Sequence, residues 1–135
     1  MNIGFYLLFG ICNLAFLLMK PFFFRFLFIT IILLAFILRF YRLADTPHDL
    51  YVDEVSIGYN TYSILKTGKD EHGQALPIFF KAFGEYKLPV YIYLTAASEA
   101  IFGKTSFAVR FPSAFFGSLS VVVFMLLIKL LTSNF

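Results

Sequence analysis

The chain has no tryptophan, a single cysteine and only two histidines among its 135 residues. A lone cysteine, Cys12, can close no intramolecular disulfide and build no thiolate metal centre, and its position inside an apolar run makes it a small membrane-buried filler. There is no glycine-rich phosphate loop, no Ser-His-Asp arrangement with usable spacing and no zinc-ligand pattern, so a nucleotide-sugar-binding Rossmann unit has no support. Charge is scarce as well, at 14% of residues, with 8 acids against 11 bases and a net charge of +3. The bases stand singly along the chain and form no cluster, which argues against nucleic acid as a partner.

What the chain has in excess is apolar surface: 60% hydrophobic residues, 21% aromatics with 20 phenylalanines, and a mean hydropathy of +0.83. That composition belongs to a multi-pass protein of the cell membrane, not to a soluble domain. Residues 1–42 hold an apolar segment, 3–19, that is a marginal span or a signal-like region, and a firmer span over 22–40 in which Arg25 snorkels toward the interface. Translation could also begin at Met19, since Lys20 and Arg25 ahead of the following apolar run make a self-sufficient N-terminus. Two further spans are expected over 88–102 and 107–131, the first short for a bilayer and carrying Glu99, an acid that is costly there unless it faces other helices or the interface. Charge counting leaves the orientation open, because Lys104 and Arg110 compete with Arg39 and Arg42 for the positive side.

Seven of the eight acids lie in the polar stretch between Asp45 and Pro89: Asp45, Asp49, Asp53, Glu54, Asp70, Glu71 and Glu85. The expected fold is therefore an all-α membrane protein of three to four transmembrane helices whose first loop, 43–87, carries the polar chemistry. Within that loop Val52, Val55, Tyr59, Tyr62 and Leu65 recur at helical spacing, and Thr67-Gly68 supplies a stop, which predicts a short amphipathic surface helix over about 53–66. Asp53 and Glu54 fall at its N-terminus, where the helix dipole favours an ionised carboxylate suited to a general base, an acceptor or a metal ligand; Asp53 fits a plain capping role equally well. Asp70 and His72, flanking Glu71, have the donor types for a divalent metal, and their place before Gly73 also reads as a polar turn. Phe79, Phe80 and Phe83 around Lys81 form either a membrane-dipping edge or a loop anchor.

From Leu50 to Leu131 the chain resembles the N-terminal part of the GT-C membrane glycosyltransferases, a group that includes protein mannosyltransferases and lipid A aminoarabinose transferases. The residues that carry the likeness are Asp53-Glu54, Gly58-Tyr59, Ile64-Leu65, Thr67-Gly68, Asp70-Glu71 with Gly73, Pro77, the run Phe83-Gly84-Glu85-Tyr86-Lys87-Leu88-Pro89, Phe102-Gly103, Phe107, Arg110 and Pro112-Ser113. The resemblance implies an extracytoplasmic first loop with Asp53 in the active site, activating or positioning the acceptor, sometimes with a divalent metal nearby. It further implies that Glu54, Glu85 and Lys87 bind substrate, with Lys87 facing the phosphate of a polyprenyl-phosphate sugar. Partners would then be that lipid-linked sugar, membrane lipid and the remainder of a longer enzyme, of which this chain resembles about the first quarter. The competing reading is a non-catalytic membrane subunit or truncated fragment that keeps a lipid-phosphate-binding loop.

Overall fold

The computed structural model describes Gly10 and residues 21–133; apart from Gly10, the possible span over 3–19, with Cys12 and Met19, lies outside the described residues. Among residues 21–133 four helices and one hairpin follow in order: α1 (Pro21–Phe40), α2 (Val52–Thr67), β1 (Phe80–Ala82), β2 (Glu85–Lys87), α3 (Pro89–Phe102) and α4 (Ser106–Ser133). Among the described residues one helix, over Ser106–Thr132, is long and apolar enough to cross a membrane, with a mean hydropathy of 2.3. Helix α1 lies against it. At their contact Gly117 leaves room for Arg39, whose Nε would stand 2.8 Å from a Cβ added there. Small residues at such a crossing let two helices approach where apolar burial gives no driving force.

Helix α2 buries the face opposite to the one its hydrophobic period picks out. Ser56, Gly58, Asn60 and Thr61 are buried, and α2 packs extensively on α3. Val52, Val55, Tyr59, Tyr62 and Leu65 are all exposed. The polar side makes the specific bonds. Thr61 Oγ1 donates to the Ile92 carbonyl at 3.4 Å, and Asn60 exchanges bonds with the Glu71 carboxylate (2.9 Å) and backbone N–H (3.1 Å). The apolar stripe is thus left outward.

Helix α3 departs from the expected span over 88–102. At 14 residues it is about 21 Å long, short of a hydrocarbon core of about 30 Å. Both of its ends also meet the loop helix. Near its start Ile92 is bonded to Thr61, and beyond its end Lys104 Nζ stands 4.3 Å from the centroid of the Tyr62 ring. Both contacts fall on the same 16-residue helix. An aromatic node ties the layer to the long helices: Phe102 lies 4.9 Å from Phe111 between centroids, and Phe111 lies 5.9 Å from Phe40 of α1.

The hairpin was absent from the all-helical expectation. Strands β1 and β2 pair antiparallel with Ala82 opposite Glu85, leaving Phe83-Gly84 as a two-residue turn with φ of 49° and 87°. Two positive φ values match the right-handed strand twist, and glycine meets the second without strain. Phenylalanine is an unusual first residue for such a turn, which is why the hairpin is hard to see in the sequence. Along β1 burial alternates, with Phe80 and Ala82 inside and Lys81 outside. Phe80 is fully buried against Tyr93, centroids 5.6 Å apart, so it anchors the hairpin and is no part of a membrane-dipping edge.

Candidate active site

Helix α2 is started by Tyr51, not by Asp53. Tyr51 is the N-cap residue, and its N–H donates to Glu54 Oε2 at 3.0 Å, an acid three residues on folding back over the first turn. Asp53 sits inside that turn, free of the capping task, and the capping role entertained for it is corrected accordingly. Its carboxylate instead accepts a hydrogen bond from Lys87 Nζ at 2.8 Å on Oδ1. The hairpin makes this meeting possible. Residues 34 positions apart join because β2 returns the chain to the N-terminus of α2, while Tyr93, its hydroxyl donating to the Pro77 carbonyl at 2.9 Å, holds the loop to α3.

The pair is asymmetric. The Lys87 side chain is 13% exposed and the Asp53 side chain 54%. The ammonium lies behind the carboxylate, with the Phe83 ring centroid 5.8 Å away. Of the three N–H donors of the ammonium, one meets Asp53 Oδ1 and another the Asp53 carbonyl at 3.5 Å, so the third remains for a second anion. The carboxylate faces outward at the positive end of a helix.

Glu54 is differently employed. Its two oxygens receive Arg110 Nε (2.9 Å) and Nη2 (3.0 Å) in a bidentate pair. The Arg110 guanidinium also donates to the carbonyls of Leu43 (3.2 Å), Pro47 (3.0 Å) and Asp49 (3.1 Å). One buried side chain on α4 thus gathers the whole connection between α1 and α2, and with it the first turn that presents Asp53. Beside it a cavity of about 330 Å³ is lined by Arg39, Glu54, Tyr91 and Ser113. The sequence marked Arg110 only as the end of a span and as part of the family likeness. A single arginine one turn inside an apolar helix was the available signal, since such a cation needs an internal partner.

The bond from Arg110 is the main cause that holds the Glu54 carboxyl below its ordinary value of 4.5. A depressed carboxyl contributes stability above its unfolded pKa and loses it as pH falls through the folded one. Acid unfolding of the wild type, followed by circular dichroism in detergent, should therefore steepen below about pH 4.5, and Glu54→Gln should be less stable at neutral pH with a flatter acid limb. An acid limb unchanged by the substitution would remove Glu54 as its source.

The remaining candidates are separate from this pair. Glu85 is exposed in β2, opposite Ala82. Asp70 is buried and its Oδ1 accepts the backbone N–H groups of His72 (3.0 Å) and Gln74 (2.7 Å), while His72 Nε2 lies 3.1 Å from the Lys81 carbonyl. These are the bonds of a polar turn. Among the described residues no three His, Cys, Asp or Glu side chains gather as a metal-binding group.

A family model described as dolichyl-phosphate-mannose-protein mannosyltransferase matches residues 29–134. No curated protein and no solved structure matches the chain. The match runs from within α1 to the end of α4 and contains Asp53, Lys87, Glu54 and Arg110. With an apolar helix able to cross a bilayer and a polar site built against it, this membrane protein belongs to the dolichyl-phosphate-mannose-protein mannosyltransferase family of glycosyltransferases.

Proposed function

We propose that the chain forms the acceptor-activating and donor-phosphate-binding part of a membrane glycosyltransferase that moves a sugar from a polyprenyl phosphate to an extracytoplasmic hydroxyl. The observation that carries this reading is the Asp53–Lys87 pair, a base and a phosphate-sized cation held 2.8 Å apart at a helix start. In the reaction Asp53 accepts the proton of the acceptor hydroxyl as its oxygen bonds to the anomeric carbon. The bond between that carbon and the phosphate oxygen breaks, and the phosphate leaves with the electron pair. Lys87 neutralises the charge that grows there. Glu85, exposed on the neighbouring strand, is suited to hydrogen-bond sugar or acceptor hydroxyls. The family's printed donor, a dolichyl phosphate sugar, supports a lipid-linked donor of this class.

In this reading α1 and α4 cross the bilayer of the cell membrane, and α2, α3 and the hairpin form a layer on its extracytoplasmic face. Leu76, Ile78, Phe79 and Phe83, each more than half exposed, give that layer an apolar edge where a prenyl chain can approach. Phe83 supports this placement, because a bulky residue with φ of 49° costs about 1–2 kcal/mol that glycine would not. Such strain is retained where the side chain has a task. The catalytic enzyme is favoured over a non-catalytic subunit by the family match.

The test is donor binding to the intact enzyme. Lys87→Ala should weaken retention of a polyprenyl-phosphate sugar by about tenfold or more, the scale of one charge-assisted bond, and flatten the salt dependence of binding. Lys87→Arg should restore part of the affinity because the charge is kept while the geometry changes. Donor binding that is indifferent to Lys87→Ala would refute the assignment.

A further inference from the structure

A second cavity, of about 260 Å³, opens where α2, α3 and the start of α4 meet; Asp53, Glu85 and Lys87 are not among its lining residues. Glu99 lines it. The residue is 5% exposed, and neither carboxylate oxygen has a hydrogen-bond partner. The space in front of the carboxyl is kept by Gly58, where a Cβ would stand 3.5 Å from Glu99 Oε1 and 3.2 Å from Val109 Cγ2. The lining also contains Lys104, but its ammonium lies over the Tyr62 ring and makes no ion pair with Glu99. Thr105 and Ser106, at the N-terminus of α4, join Lys104 in making a polar, positive rim. Leu50, Val55, Tyr59 and Val109 supply the apolar wall, continuous with the exposed stripe of α2.

We propose that this cavity binds the headgroup of a phospholipid carrying a primary ammonium. Burial pushes the Glu99 carboxyl above its ordinary value against the opposing charge of Lys104, and, with no hydrogen-bond partner on either oxygen, its charged form is stabilised by a cation with several N–H donors. A headgroup that points its ammonium inward brings three donors to the two free oxygens of Glu99. Its phosphate then falls at the rim, beside Lys104 and the α4 N-terminus, where a negative charge is favoured. The acyl chains leave along Val55 and Tyr59. At about 260 Å³ the cavity exceeds the roughly 30 Å³ share of a single water many times over, so one buried water does not fill it. A zwitterion of the opposite polarity, or one whose ammonium is fully methylated, lacks the inward donors and loses the match.

Native mass spectrometry of the full chain in detergent, titrated with phosphatidylethanolamine, phosphatidylcholine and phosphatidylglycerol of identical acyl chains, tests the proposal. The wild type should retain phosphatidylethanolamine about tenfold better than phosphatidylcholine, the scale of a charge-assisted bond. Glu99→Gln, nearly isosteric, should abolish that preference without ending phospholipid binding, and Lys104→Ala should weaken all three lipids alike. Gly58→Ala provides a check that keeps the carboxyl. Its methyl group enters the space in front of Glu99 and should lower phosphatidylethanolamine retention, which decides the matter if Glu99→Gln does not fold. Equal retention of phosphatidylethanolamine and phosphatidylcholine by the wild type overturns the proposal. So does a preference that survives in Gly58→Ala and in any folded Glu99→Gln.

Discussion

Asp53→Asn in the intact enzyme should lower sugar transfer by about 10²- to 10⁴-fold, the range a positioned general base contributes, while the protein folds and holds its donor nearly as the wild type does. The structure makes this separation possible. Asp53 is half exposed, and the start of α2 is secured by the Tyr51 N–H on Glu54 and by the Arg110 clamp, neither of which uses Asp53. Asparagine still accepts a hydrogen bond from Lys87 but cannot take the acceptor proton. If Asp53 served only to hold Lys87 in place, Asp53→Asn would stay near the wild type in kcat, and Asp53→Ala, which removes the acceptor, would resemble Lys87→Ala, raising KM for the lipid-linked sugar with kcat little changed. Steady-state kinetics with the donor varied distinguishes the two patterns. A kcat near that of the wild type in Asp53→Asn would end the base assignment.

Arg110→Leu should have the largest effect on stability. The guanidinium serves both oxygens of Glu54 and three backbone carbonyls of the 43–49 connection, so its removal strands several acceptors at once. Breaking a buried ion pair from one side costs about 3–5 kcal/mol, and thermal unfolding in detergent should fall on that scale. Arg110→Lys should recover little, because one ammonium cannot reproduce the fork that grips Glu54 while reaching the Leu43, Pro47 and Asp49 carbonyls. Transfer activity should be lost as well, through displacement of Asp53. A double-mutant cycle with Glu54→Gln isolates the pair: the two substitutions together should cost less than the sum of each alone. Strict additivity would mean that the bidentate contact carries no coupling.

The two substitutions act at different levels. Arg110 shapes the first turn of α2, whereas Asp53 is the group that turn presents. Lys87 reaches the same point from the other direction, carried by a hairpin that Phe80 fastens to Tyr93. Three elements distant in sequence therefore converge on one carboxylate, and the cavity around Glu99 is formed by different residues of the same helices.

The local periodicities and stops were legible in the sequence. The apolar runs now seen in α1 and α4, the helix that ends at Gly68, and the crowding of acids into the 43–87 loop all follow from residue type and spacing, because a bilayer demands long apolar segments and helices end where glycine admits φ of 69°. The family likeness likewise rests on short runs such as Asp53-Glu54 and Glu85-Tyr86-Lys87. What only the tertiary structure decided is which faces meet. Hydrophobic period left open whether the Val52–Tyr59–Tyr62 side of α2 met lipid or other helices; in the structure that side is exposed, and the helix packs through Ser56, Gly58, Asn60 and Thr61, where small and polar residues allow close approach and hydrogen bonds. Apolarity alone made 88–102 a span; the helix there is 14 residues long with both ends against α2. Partner choice was equally hidden. Nothing in a list of single charges tells that Arg110 takes Glu54 and leaves Asp53 to Lys87, since that division depends on a two-residue turn at Phe83-Gly84 and on the depth at which each side chain lies.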